Sequence, residues 1–115
     1  MKRTSLDMGM DSLLTDTSDL HDATLISVEY GPNHLHLRIE DPYMRATQQY
    51  RRSIVSISLT KADDCIVPEI PYLPQPIYVA RLVGNECDQF ELLTEDGWEI
   101  SLKVKPEESW VEIHE

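Results

Sequence analysis

The chain has 115 residues, 21 acids against 10 bases, and a net charge of −11. Such a balance repels nucleic acid and anionic membrane and favours encounter with a basic partner. The length suits one domain with its own core, and no run approaches the ~20 apolar residues of a membrane span.

The acidity is lopsided. Residues 1–60 carry 8 acids and 6 bases, whereas residues 61–115 carry 13 acids and 4 bases. The opening MKRTSLDMGMDSLL has no apolar run of the kind a secretory signal needs, so the expected compartment is the cytoplasm. Cys65 and Cys87 lack CxxC spacing. In a reducing compartment they are expected as free thiols, with a disulfide between them left open.

Leu6, Met10, Leu13 and Leu14 fall at i, i+4, i+7 and i+8, which is helical spacing. Thr4 or Ser5 would cap it. A short N-terminal helix or docked arm is therefore predicted over 4–17, weakened by Gly9. A polar run over 15–19 separates it from the first strand pair.

Leu20–Glu40 reads as a β-hairpin. Ile26, Val28 and Tyr30 alternate with polar residues on the way up, and Leu35, Leu37 and Ile39 do so on the way down. Gly31-Pro32-Asn33 is turn chemistry. Pairing Tyr30 with Leu35, Val28 with Leu37 and Ile26 with Ile39 puts all six on one face, with a loop of Gly31 to His34. The same register sets Glu29 opposite His36 and Ser27 opposite Arg38 on the outer face.

Asp41-Pro42 ends that strand. Arg45, Arg51 and Arg52 then form the one basic patch. Ser53–Thr60 is a third strand, with Val55, Ile57 and Leu59 inward. Lys61 to Pro76 is a long connection in which Pro68, Pro71, Pro74 and Pro76 forbid helix and ladder interior alike. Acids around Tyr72 in this loop would suit protein recognition, and a packed crossover between two sheets is the plainer alternative.

Ile77–Val83 is a fourth strand, apolar on both faces except Arg81, as in a central strand. The fifth, from Cys87 or Asp88 to Thr94, points Phe90 and Leu92 inward. The sixth, Trp98–Val104, points Trp98, Ile100, Leu102 and Val104 inward. Pairing Thr94 with Trp98 sets Phe90 opposite Leu102 and Leu92 opposite Ile100, and requires Gly97 to be left-handed. Pro106 to Ser109 is a turn, and Trp110–His114 is a short last strand expected at an edge. The prediction is one mainly β domain of about seven antiparallel strands, in a sandwich or strongly bent sheet, with the short N-terminal helix.

Few residues invite chemistry. His21-Asp22 precedes a strand, so it lacks the helical context of a metal-binding HD pair, and hydrogen bonding at the strand start is the simpler role. His34 and His36, at i and i+2 of a strand, point the same way and are the candidate metal ligands, although no third ligand is evident. There is no G-x-S-x-G and no glycine-rich phosphate loop. Cys65 follows Asp63-Asp64, which raises rather than lowers a thiol pKa. No catalytic residue and no cofactor is assigned.

LHDATLISVEY, the alternating strand after it, and LLTEDGWEISLKVKPEESWVEI together resemble the small β-rich immunity proteins that bacteria encode beside polymorphic or contact-dependent toxins. The likeness covers Leu20–Glu40 and Leu92–Glu112, and it lies in strands and turns more than in chemical groups. It implies a non-enzymatic inhibitor that binds a cognate toxin domain, many such toxins being basic nucleases. Charge and loop placement put the contact residues among Asp63, Asp64, Glu69, Tyr72, Glu86, Asp88, Glu91, Glu95 and Asp96. The alternatives are a metal-dependent enzyme using His34 and His36, and a non-catalytic cytoplasmic scaffold. Monomer and homodimer both stay open.

Overall fold

A computed structural model describes residues 2–6, 23–40, 43–44, 49–50, 54–63, 67–83 and 88–114, with backbone alone at 2–5, 43–44 and 49–50. In chain order the strands are β1 (Lys2–Ser5), β2 (Thr24–Tyr30), β3 (His34–Glu40), β4 (Tyr43–Met44), β5 (Gln49–Tyr50), β6 (Ile54–Thr60), β7 (Gln75–Val83), β8 (Gln89–Thr94), β9 (Glu99–Lys103) and β10 (Trp110–His114). A 3-10 turn, Pro106–Glu108, precedes β10. Eight strands form one antiparallel sheet in the order β1-β10-β6-β3-β2-β7-β8-β9, and β4 and β5 form a separate ribbon.

The seven predicted strands are all in this sheet. The predicted helix is not supported: of its span only Thr4–Leu6 falls among the described residues, and there Thr4 and Ser5 are extended and pair with Val111 and Trp110. Residues 7–22, which hold the rest of that prediction and His21-Asp22, lie outside the described residues. So do Arg45, Arg51, Arg52, Cys65 and Cys87. Since β1 pairs along β10, the last strand is not an edge either: it sits between β1 and β6.

The sheet must roll. β9 and β10 are six positions apart in the strand order, which is about 29 Å across a flat sheet. Residues 104–109 join them, and the seven steps from Lys103 to Trp110 reach at most about 25 Å when fully extended. The ends accordingly come together. Lys61, just past β6, bridges Val104, just past β9. The Ala62 N–H donates to the Lys103 carbonyl at 2.9 Å, and the Lys105 N–H to the Thr60 carbonyl at 2.9 Å. Buried Ser109 locks this junction: its hydroxyl donates to the Lys105 carbonyl and accepts from the Thr60 N–H.

One hydrophobic cluster fills the rolled sheet. Leu35, Leu37, Ile39, Val55, Ile57 and Leu59 come from one side, and Ile77, Ala80, Phe90, Leu92, Ile100 and Leu102 from the other. These are the inward positions that alternation identified in β3, β6, β8 and β9. Trp98, expected inward, is only half-buried at the rim.

The first hairpin departs from its predicted register at one end. Tyr30 faces Leu35 and Val28 faces Leu37, as expected, but a bulge intervenes and Leu25 faces Ile39. Leu25 is therefore fully buried, while Ile26 is only partly so. The bulge bends β2 to where Thr24 and Leu25 meet Pro76 and Gln75 of β7. Pro76 thus enters a strand at its second residue, where a missing N–H is tolerated. Beyond those two pairs β2 and β7 diverge. The outer face of β7 is also wetter than expected, with Tyr78 55% exposed.

The proline-rich connection lies over the side of the sheet where β2 and β7 part. Val67 and Ile70 are buried in the core, and Leu73 packs against it. Tyr30, predicted to be a core residue, is 39% exposed. Its hydroxyl accepts from the Ile70 N–H at 3.1 Å and donates to the Pro68 carbonyl at 3.3 Å, which ties the loop to the first hairpin.

Candidate functional site

Two places on this scaffold gather polar side chains. The first is the corner where the proline-rich loop meets the β8–β9 turn. That turn needs a left-handed residue, and Gly97 supplies it with φ +92°. The Thr94 N–H donates to the Trp98 carbonyl, and the Gly97 N–H to the Thr94 carbonyl. Buried Thr94 also accepts the Trp98 N–H on its hydroxyl. These bonds present Glu95 and Asp96 outward.

The loop is brought to the same corner by its own ties. The Glu95 N–H donates to the Pro76 carbonyl at 3.0 Å. Buried Gln75 donates its amide to the Tyr72 carbonyl at 2.8 Å, while its Oε1 has no partner among the described residues. Tyr72, 55% exposed, donates its hydroxyl to Asp96 Oδ2 at 2.6 Å. That bond holds the phenol pKa above its usual 10.0, with desolvation and the Asp96 charge adding to it and the Trp98 indole opposing. An exposed phenol is thus tied to the carboxylate of Asp96, with exposed Glu95 next to it in the turn. None of the described ion pairs places a base there.

The predicted contact residues do not form one surface. Tyr72, Glu95 and Asp96 meet at this corner, and Glu69 is exposed on the same loop between buried Val67 and Ile70. Asp88 lies at the opposite end of β8, about 20 Å away along the strand, with its carboxylate 3.7 Å from Lys103 Nζ. Asp63 follows Ala62, which also bonds Lys103, so it belongs to that far end. Glu91 is spent on Arg81 at 3.0 Å. Asp64 and Glu86 lie outside the described residues.

The second place is a groove of about 310 Å³ on the outer face of β2, β3, β6 and β10, lined by Ser27, Glu29, His36, Arg38, Ser56, Ser58 and Glu112. Its rungs are set by register. Glu29, His36, Ser58 and Trp110 form one, and Ser27, Arg38, Ser56 and Glu112 the next. His36 Nδ1 and Ser58 Oγ are 2.9 Å apart. The rung aligns carboxylate, imidazole and hydroxyl, but no hydrogen bond joins Glu29 to His36 among the described residues. Backbone N–H groups of interior strands are committed to ladders, which leaves little for an oxyanion.

The candidate metal ligands His34 and His36 stand side by side, ring centroids 4.8 Å apart. Among the described residues no group of three His, Cys, Asp or Glu side chains comes together. The groove was only half visible in the sequence. Alternation and the first hairpin's register place Ser27, Glu29, His36 and Arg38 outward, but pairing of β3 with β6, and of β6 with β10, is needed to bring Ser56, Ser58 and Glu112 alongside. No family model, curated protein or solved structure matches the chain.

Proposed function

We propose that the chain is an immunity-type inhibitor, without catalysis of its own, that binds and neutralises a cognate bacterial toxin domain through an acidic surface. A basic nuclease is the toxin class its charge suits, and the cytoplasm is the compartment where such a toxin acts. The observation that supports this best is Tyr72. Interface hot spots are enriched in tyrosine held rigid among groups that exclude water. Tyr72 is exposed yet already ordered by Asp96, so docking it costs little side-chain entropy. Glu69, Glu95 and Asp96 around it supply the field that steers a basic partner.

The test is binding to, and protection against, a toxin domain encoded immediately upstream. A complex is expected whose association rate falls with salt, as steered association does. Tyr72→Ala and Asp96→Ala should each weaken it by about 2 kcal/mol, as central anchors do. Failure to form a complex or to protect cells removes the reading. Full binding by both variants would move the interface away from this corner.

A further inference from the structure

In the groove on the outer face Glu112 is already engaged, its carboxylate 3.8 Å from His114 Nε2, but two other charges stand apart. Arg38 lies in the middle of its rung, with a serine directly on each side, Ser27 and Ser56. Glu29 occupies the diagonal place on β2, Glu112 lies two strands away, and Glu40 is two residues along β3 on the same face. Even so, neither Arg38 nor Glu29 makes an ion pair among the described residues. Arg81, Lys103 and Lys105 each meet a carboxylate. Diagonal neighbours on antiparallel strands stand about 7–8 Å apart. Thus a guanidinium and a carboxylate, neither ion-paired among the described residues, face the same polar groove across a floor of serine hydroxyls.

We propose that this groove binds a small zwitterion, a molecule of the amino-acid class with a carboxylate at one end and an ammonium at the other. The Arg38 guanidinium takes the carboxylate through its planar fork of donors. The Ser56 hydroxyl, directly beside it, donates to the same group. Glu29 takes the ammonium. A volume of about 310 Å³ is at the small end of ligand sites and suits a molecule of few heavy atoms. Charge sets the specificity. A plain anion meets Arg38 but is repelled by Glu29, and a plain cation meets Arg38 unfavourably. Only a ligand with both charges satisfies both walls. The groove lies on different strands from the Tyr72 corner, so the two proposals stand or fall separately.

The test is amide chemical-shift titration of the full chain at constant ionic strength. The probes are acetate, methylammonium, and the zwitterions glycine, β-alanine and γ-aminobutyrate, which step the charge separation. Saturable shifts centred on Ser27, Glu29, Arg38 and Ser56 are expected with at least one zwitterion. Acetate and methylammonium should bind about tenfold more weakly or not at all. Arg38→Gln and Glu29→Gln should each weaken that zwitterion by about tenfold. Both side chains are exposed, so the amide spectrum away from the groove should stay unchanged. Acetate binding as tightly as the zwitterions, or indifference to Glu29→Gln, would make this an anion site and overturn the proposal. Methylammonium binding as tightly would overturn it as well, and so would the absence of saturable shifts with all five probes.

Discussion

The β2–β3 hairpin lies inside the sheet, with β6 on one flank and the start of β7 on the other, while the β8–β9 hairpin forms the sheet's end. The end hairpin obeys local rules throughout. Its register from Gln89–Lys103 to Leu93–Glu99 is unbroken, and its turn is set by Gly97. The interior hairpin obeys them only near its loop. Toward Thr24 it serves a second partner, and a bulge between Leu25 and Ser27 lets β2 reach β7. Alternation within a strand sets register where one partner dominates. β3 and β6 also serve two partners, yet their shared ladder is unbroken, so the irregularity marks the place where β2 leaves β3 to meet the start of β7.

Substitutions at the bulge probe this difference most strongly. Leu25→Ala should destabilise by about 2–5 kcal/mol in urea unfolding, as loss of a fully buried leucine does. Ile26→Ala should cost clearly less, about 1 kcal/mol. Equal losses would mean that the straight register, with Ile26 in the core, is the true one.

The two turns should show intermediate effects. Gly97→Ala forces a side chain into the left-handed region and should cost about 1–2 kcal/mol. Nothing lies within 4 Å of the added Cβ, so the whole cost is backbone. At Gly31 the added Cβ would come 2.5 Å from His34 Cε1. That ring is the exposed end of a side chain and can swing away, so Gly31→Ala should cost about 0.5 kcal/mol or less. A reversal of this order in thermal melts would contradict a left-handed backbone at Gly97 and not at Gly31.

An effect between those of the two glycines belongs to the proline-rich loop tied to the first hairpin. Tyr30→Phe leaves the Ile70 N–H without its acceptor and should cost about 1 kcal/mol. Amide exchange should quicken at Ile70 while β6 and β8 keep their protection. The smallest effect is a titration. The folded Tyr72 phenol holds its proton above the usual 10.0. The stabilisation from its contact with Asp96 is therefore complete below that pH and is lost as pH rises through the raised value. Tyrosinate absorbance, compared with that of Tyr72→Phe, should show one tyrosine titrating late, and Asp96→Ala should return it toward 10.0.

The sequence revealed most of what is local. Val55, Ile57 and Leu59, the Phe90–Leu102 and Leu92–Ile100 pairs and the left-handed Gly97 are all dictated by period two and turn chemistry. Three features depend on distant partners and were hidden. Thr4 and Ser5 read from sequence only as candidate helix caps beside Leu6 and Met10, and their pairing with a strand more than a hundred residues away has no local signal. Tyr30 looks like a core residue by alternation, yet its hydroxyl is drawn out to Pro68 and Ile70. The acidic residues of the second half look like one surface by charge count, yet register sends Asp88 and Asp96 to opposite ends of one strand, and Arg81 occupies Glu91.

The pairing of β1 with β10 also bears on how copies of the chain behave toward one another. A bare β10 would offer a row of unpaired backbone groups beside Trp110 and Ile113, which is a template for adding strands end on end. Four residues, Lys2–Ser5, occupy that row instead. The new rim they create is only four residues long, which leaves a further strand little to pair with. The row of β10 along which the sheet could otherwise have kept growing is thus filled by the chain itself.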